Sequence, residues 1–188
     1  MTAKLGYGKF DKFIHWLMAI NIILTLIFAR GMSSLPDDER VLEYSDHGTS
    51  VTTIAICLVI RVLWRWYQGF PQLPPSMSDA ARSAARVAHY ALYGVLALQI
   101  GVGVFLASTT ELEFVASAYN INYTAFGLAP QSAHDLLLDF HIALYWTIVA
   151  LLALHIAAAL KHHFVDGDEV LLRMLPFTGR GVHGKVTT

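Results

Sequence analysis

The sequence predicts an all-α protein: a transmembrane four-helix bundle whose helices run up, down, up and down. Three observations predict it. Of 188 residues, 55% are hydrophobic and only 14% charged, with a mean hydropathy of +0.50, a balance foreign to soluble domains. Four apolar runs reach the roughly 20 residues of helix that a hydrocarbon core of roughly 30 Å requires. The stretches between them are short, which favours antiparallel neighbours.

The first helix is expected from Phe13 to Ala29, behind Lys4, Lys9 and Lys12. A basic lead before an apolar run is also the pattern of a cleavable signal sequence. Cleavage would discard His15, and no clean small-x-small exit follows, so the run is read as a retained span. A loop around Ser33 to Asp46, with Pro36, Asp37, Asp38 and Glu39, leads to the second helix, His47 to Trp66. Gln68 to Ser78 holds Pro71, Pro74 and Pro75 and reads as a stiff connector. The third helix, Val87 to Ser108, carries Gly94, Gly101 and Gly103; small residues permit close helix approach or leave room for a flat ligand. Thr109 to Asp135 contains no Lys or Arg, and Glu111 to Tyr119 carries a weak pattern for a short interfacial helix. The fourth helix spans Leu136 to Leu160, and a tail follows over 165–188. The whole chain, 1–188, reads as one membrane domain.

Charge sets the orientation. Lys4, Lys9, Lys12, Arg61, Arg65, Arg82, Arg86, Lys161, Arg173, Arg180 and Lys185 fall on the side of both termini, against Arg30 and Arg40 opposite. The positive-inside rule therefore puts both termini and the tail in the cytoplasm. A net charge of -1 and a pI near 6.7, without a long basic run, exclude a nucleic-acid binder. The one cysteine, Cys57, lies in an apolar run, so the sequence has no disulfide framework and no CxxCH for covalent haem attachment.

Four histidines near the ends of the spans carry the chemistry: His15, His47, His141 and His155. An imidazole in hydrocarbon is costly unless something binds it. His141 and His155 are 14 residues apart, about 21 Å of rise and about 1400° of rotation, close to four full turns. Both point to one face, one near each membrane surface. Topology gives each a partner at its depth, His15 beside His155 at the cytoplasmic end and His47 beside His141 at the outer end. Zinc wants three or four N, S or O ligands, and neither layer offers a cysteine or a clear carboxylate cluster. A porphyrin brings its own four nitrogens, so two imidazoles complete the shell and leave no open position. That favours electron transfer over oxygen activation. Pore-lining or hydrogen-bonded histidines are the competing reading, weakened by four residues at paired depths.

Several further polar residues keep more than one reading. Arg61 and Arg65 either snorkel to headgroups or neutralise haem propionates. His89 shares the cytoplasmic layer as an alternative ligand, a propionate partner or part of a quinone pocket. His162 and His163 are candidates to protonate a quinone, against a role as an interfacial cap with Lys161. His134 and His183 read as ordinary solvent-facing residues, and Trp16, Trp64, Trp66 and Trp146 as an interfacial belt.

FIHWL around His15, VIRVLWR around Arg61, AHYALYG after Arg86, AFGLAP in the outer loop, the His141 to His155 spacing, HIAAALKHHF and LLRMLP together resemble the bacterial cytochrome b561 family over nearly the whole chain. The resemblance implies two non-covalent haem b groups, one on His15 and His155 and one on His47 and His141, in a bacterial inner membrane. It also implies electron exchange with ubiquinone near the cytoplasmic surface, with His162 as the matching residue. Members similar to this chain act as superoxide oxidases, passing an electron from periplasmic superoxide through both haems to ubiquinone. One departure stands against this: the outer side sets only Arg30 and Arg40 against Asp37, Asp38, Glu39, Glu43, Asp46, Glu111, Glu113 and Asp135, where an anion would gain from positive charge. A diheme anchor subunit passing electrons between quinone and a dehydrogenase, hydrogenase or periplasmic redox partner is the alternative. A small transporter or channel is the non-redox one.

Overall fold

A computed structural model describes residues 6–69 and 77–177. Four long helices dominate it: α1 (Lys9–Phe28), α2 (Asp37–Gln68), α3 (Asp79–Ala107) and α4 (His134–Phe164). Each is long and apolar enough to cross a membrane. The core they enclose is narrow, built on Ile14, Met18, Ile54, Cys57, Leu58, Leu96 and Ile148. Large apolar side chains face outward instead; Phe13, Phe28, Leu136 and Leu154 are all more than half exposed. A lipid solvent removes any penalty for this arrangement.

All four helices begin before the expected spans, most of all α2 and α3. α2 begins at Asp37 rather than His47, so most of the expected first outer loop is helix. Nothing between Asp37 and His47 breaks a helix, Pro36 stands at the N-cap, and Asp37, Asp38 and Glu39 face the positive end of the helix dipole. α3 begins at Asp79 rather than Val87, where Ser78 Oγ accepts from Ala81 N at 3.2 Å and an alanine-rich turn follows. The prolines of the connector, Pro71, Pro74 and Pro75, lie outside the described residues, as do Lys4, Arg180, His183 and Lys185.

Between α3 and α4 the expected interfacial helix over Glu111 to Tyr119 is replaced by a small antiparallel hairpin, β1 (Val115–Ala116) with β2 (Ile121–Asn122). Asn120 turns it with a positive φ of 53°. β-branched Val115 and Ile121 outweigh a helical pattern too short to bury a face. The hairpin lies on α2: Tyr123 Oη and Thr52 Oγ1 are 2.8 Å apart, as are Tyr119 Oη and Thr53 Oγ1. Gly48 makes that contact possible, because a Cβ there would sit 3.0 Å from Phe114 Cε1 and 3.2 Å from the Ala116 backbone nitrogen. Gly48→Val is expected to lift the hairpin and cost about 1–3 kcal/mol, as overpacking does; thermal unfolding in detergent measures it.

The segment after α4 does not hang free in its described part. Lys12 Nζ donates to Leu175 O at 2.8 Å and Trp16 Nε1 donates to Met174 O at 2.9 Å. Trp16 therefore holds the segment to α1, a more particular role than a place in an aromatic belt. Residues 178–188 of the expected tail lie outside the described residues.

Candidate functional site

At one end of the bundle α2 and α4 bring His47 and His141 together, with ring centres 6.4 Å apart. At the other end α1 and α4 bring His15 and His155 together at the same 6.4 Å. Two imidazoles on opposite sides of one metal ion, with bonds of about 2 Å and about 1.1 Å from nitrogen to ring centre, would have ring centres about 6.2 Å apart. Both pairs have the spacing that bis-imidazole ligation needs. Each histidine is half-buried.

The His47–His141 pair borders a cavity of about 400 Å3, also lined by Gln99, Gly103, Phe114 and Tyr145. That size suits a large planar ligand. Within it Gln99 Nε2 lies 3.0 Å from His141 Nε2, while His141 Nδ1 and Gln99 Oε1 are buried without a hydrogen-bond partner among the described residues. An idle nitrogen on a buried imidazole is costly, and a metal ion is one group that takes its lone pair. A Cβ on Gly103 would meet His141 Cε1 at 3.0 Å, so the absence of a side chain there lets α3 approach the ring. Gly94 and Gly101 do not serve close packing, since a Cβ on either would meet nothing within 4 Å.

The His15–His155 pair borders a narrower cleft of about 80 Å3 with His89, Arg61 and Tyr93. Its ring spacing matches that of the other pair, while the enclosed space is smaller than a porphyrin. The His89 ring centre is 5.3 Å from that of His155, too close for the two rings to flank one ion from opposite sides. Its Nδ1 donates to Ala85 O at 2.6 Å, which leaves Nε2 as the other hydrogen-bonding atom.

Arg61 and Arg65 do not snorkel; they are only 6% and 7% exposed. Arg61 Nε donates to Tyr93 Oη at 3.0 Å and its Nη1 to Asp11 O at 3.3 Å. Arg65 pairs with Asp11 Oδ1 at 3.3 Å and its guanidinium sits 4.6 Å from the centre of the Tyr7 ring. Burial pushes the Tyr7 hydroxyl pKa above its usual value, with Arg65 acting the other way. Asp11, absent from the sequence-based candidates, is 5% exposed and also accepts from Gly8 N at 3.0 Å. Its position four residues before His15, on the same helix face, was the available signal.

Beyond the cleft, about two turns past His155, His162 Nδ1 lies 2.7 Å from Asp168 Oδ2 and 3.1 Å from Asp166 Oδ2. Lys161 Nζ reaches both Asp166 oxygens at 2.7 Å, and that hydrogen bond holds the Asp166 carboxyl below its ordinary pKa. His163 packs on Phe164 instead. His134 is not a plain solvent-facing residue: it borders the larger cavity, with Nδ1 2.8 Å from the buried Thr109 hydroxyl. Of the remaining tryptophans, Trp66 and Trp146 are exposed, while Trp64 packs edge-on against Phe10.

Comparison with known proteins bears on what occupies these pairs. The chain is 34% identical over 180 residues to cytochrome b561 homolog 2 of Escherichia coli K12, covering 90% of each chain. It is 28% identical over 168 residues to a probable superoxide oxidase of Yersinia pestis, covering 87% of this chain and 92% of that one. Cytochrome b561 homolog 1 of Escherichia coli K12 is 23% identical over 176 residues, covering 90% of this chain and 97% of the relative. The family model described as prokaryotic cytochrome b561 matches residues 6–177, nearly the whole chain including both histidine pairs. This integral membrane protein therefore belongs to the prokaryotic cytochrome b561 family.

Proposed function

We propose that this chain passes single electrons across the bacterial inner membrane, from superoxide at the outer face to ubiquinone at the cytoplasmic one, through two b haems. Membrane electron transfer with haem b is the family's activity. The finer reading rests above all on one observation: two histidine pairs at opposite ends of the bundle share the 6.4 Å spacing that an iron between imidazoles requires. Similarity to the probable superoxide oxidase of Yersinia pestis supports superoxide as donor. The positive-inside rule supports the His47–His141 end as the outer one.

In this reading His47 and His141 hold the outer haem, and His15 and His155 the inner. The haems supply one-electron carriers at two depths, so that two superoxide ions become two dioxygens while one quinone takes up two electrons and two protons. Two imidazoles offered to each haem would leave no position for oxygen to bind. The buried Arg61, whose neighbours are a phenol and a backbone carbonyl, offers a propionate its charge; Arg65, turned to Asp11, offers less. His162 holds the proton for quinone, with Asp168 fixing its ring, and His89 lines the cleft beside the inner pair.

The decisive measurement is a reduced-minus-oxidised spectrum with haem quantitation on the purified chain, followed by addition of superoxide and a soluble ubiquinone. Two haems per chain and quinone-dependent superoxide consumption support the proposal; a chain without a Soret band sinks it and leaves the transporter reading. His162→Ala is expected to slow quinone reduction about tenfold or more while both haems still load. Unchanged quinone kinetics would remove His162 from that role.

One observation favours a second reading. Asp37, Asp38, Glu39, Asp46, Glu111, Glu113 and Asp135 are all exposed at the end taken as outer, a surface that suits a cationic redox partner better than an anion. Inertness to superoxide with reduction by such a protein would choose the anchor-subunit role.

A further inference from the structure

Resting on the two-haem reading, we propose that His134 pairs with a carboxylate of the outer haem and makes the potential of that haem depend on pH at the outer face. His134 opens α4 and His141 follows seven residues later, about 10.5 Å of rise and about 20° short of two full turns. The two histidines therefore share one face of α4, and both line the larger cavity.

A haem carries its two carboxylates at one edge of the ring, and that edge favours whichever end of a cavity offers positive charge and hydrogen-bond donors. Leu96 and Ile148 line both the cavity and the inner cleft, so the end toward the middle of the bundle is apolar. At the outer end stand Arg30, just past α1, and His134. No aspartate or glutamate lines the cavity among the described residues; Glu111, Glu113 and Asp135 are exposed instead. Arg30 supplies a fixed charge, with its guanidinium 5.9 Å from the centre of the Trp146 ring.

The hydrogen bonds of His134 leave one nitrogen for a ligand. Thr109 Oγ1 donates its single proton to Leu106 O at 2.7 Å, so toward His134 Nδ1, at 2.8 Å, it can only accept. Nδ1 carries a proton, and Nε2, without a partner among the described residues, is the atom that changes state. Thr109 is 2% exposed, so the ring is anchored on a buried group. A carboxylate beside Nε2 shares one proton with it, as imidazolium with carboxylate or as imidazole with carboxylic acid. The other titratable groups of the lining are Tyr44 and His47 of α2, Tyr123 after β2, and His141 and Tyr145 of α4. The two histidines are iron ligands in this reading, and phenols ordinarily titrate only near about pH 10.

The coupling has a definite sign. An electron on the outer haem adds negative charge beside the pair and favours its protonated form. The proton enters from the outer face with the electron and leaves there when the electron moves inward, so the overall reaction keeps its balance. The outer potential therefore falls as pH rises.

The test is an optical redox titration of the purified full-length protein at a series of pH values around neutrality, with the outer haem assigned as the one missing from His141→Ala. The parent is expected to show the falling outer potential, and His134→Leu to flatten that slope while the inner haem titrates as in the parent. His134→Asn keeps a donor for the Thr109 hydroxyl but loses Nε2, and is expected to flatten the slope as well. Where the leucine protein fails to assemble, the asparagine protein decides. An outer potential that ignores pH in the parent, or a slope that survives in the variants, overturns the role of His134 and leaves the two-haem reading intact. A parent protein with no haem on His47 and His141 overturns that reading, and this inference with it.

Discussion

Replacing His141 by alanine is expected to halve the haem content of the purified protein and abolish electron transfer between its two faces. The imidazole stands 6.4 Å from that of His47, and an iron left with a single protein ligand at this end loses both its sixth bond and its hold on α4. His47→Ala gives the same result. His89→Ala does not, because its ring lies too near that of His155 for the two to take opposite sides of one iron; it keeps both haems. Haem extraction and quantitation checks all three. Full haem content in His141→Ala would sink the ligand assignment, and loss of the inner haem in His89→Ala would exchange His89 for His15.

The second large effect belongs to a residue that touches no haem in this reading. Asp11→Ala is expected to destabilise the protein by about 3–5 kcal/mol, the range seen when one member of a buried ion pair is removed. Arg65 sits 7% exposed and has the carboxylate of Asp11 at 3.3 Å. Asp11→Asn keeps an acceptor for Gly8 N and for the guanidinium, so its loss is smaller. The change spreads to the inner histidine pair because Arg61, which borders that cleft, donates to the backbone of the same residue. Thermal unfolding monitored by loss of the Soret band orders the three proteins; equal midpoints for parent and alanine variant would show that water already solvates Arg65.

The pairing of His15 with His155 and of His47 with His141 was legible because it follows from two periodic quantities, helix rise and the direction of successive spans. Neither needs knowledge of any side-chain contact. The ends of the helices were less legible: the hydrophobic pattern stops where the hydrocarbon stops, whereas α2 continues through Asp37 to Asp46 with acidic residues at the positive end of its dipole and with Tyr44 and Ser45 against Phe114 and Ser117. The hairpin on α2 escaped because its strands are two residues each and depend on a distant glycine, Gly48. Asp11 and Gln99 escaped for a common reason. A polar residue within an apolar run announces a partner without naming it, and Arg61, Arg65 and His141 are remote in sequence.

The contacts of Lys12 with Leu175 and of Trp16 with Met174 join the earliest helix to residues synthesised more than a hundred and fifty positions later. A ribosome must finish α4 before these two contacts can form, so the clasp between the first helix and the segment after the last is a late event of assembly.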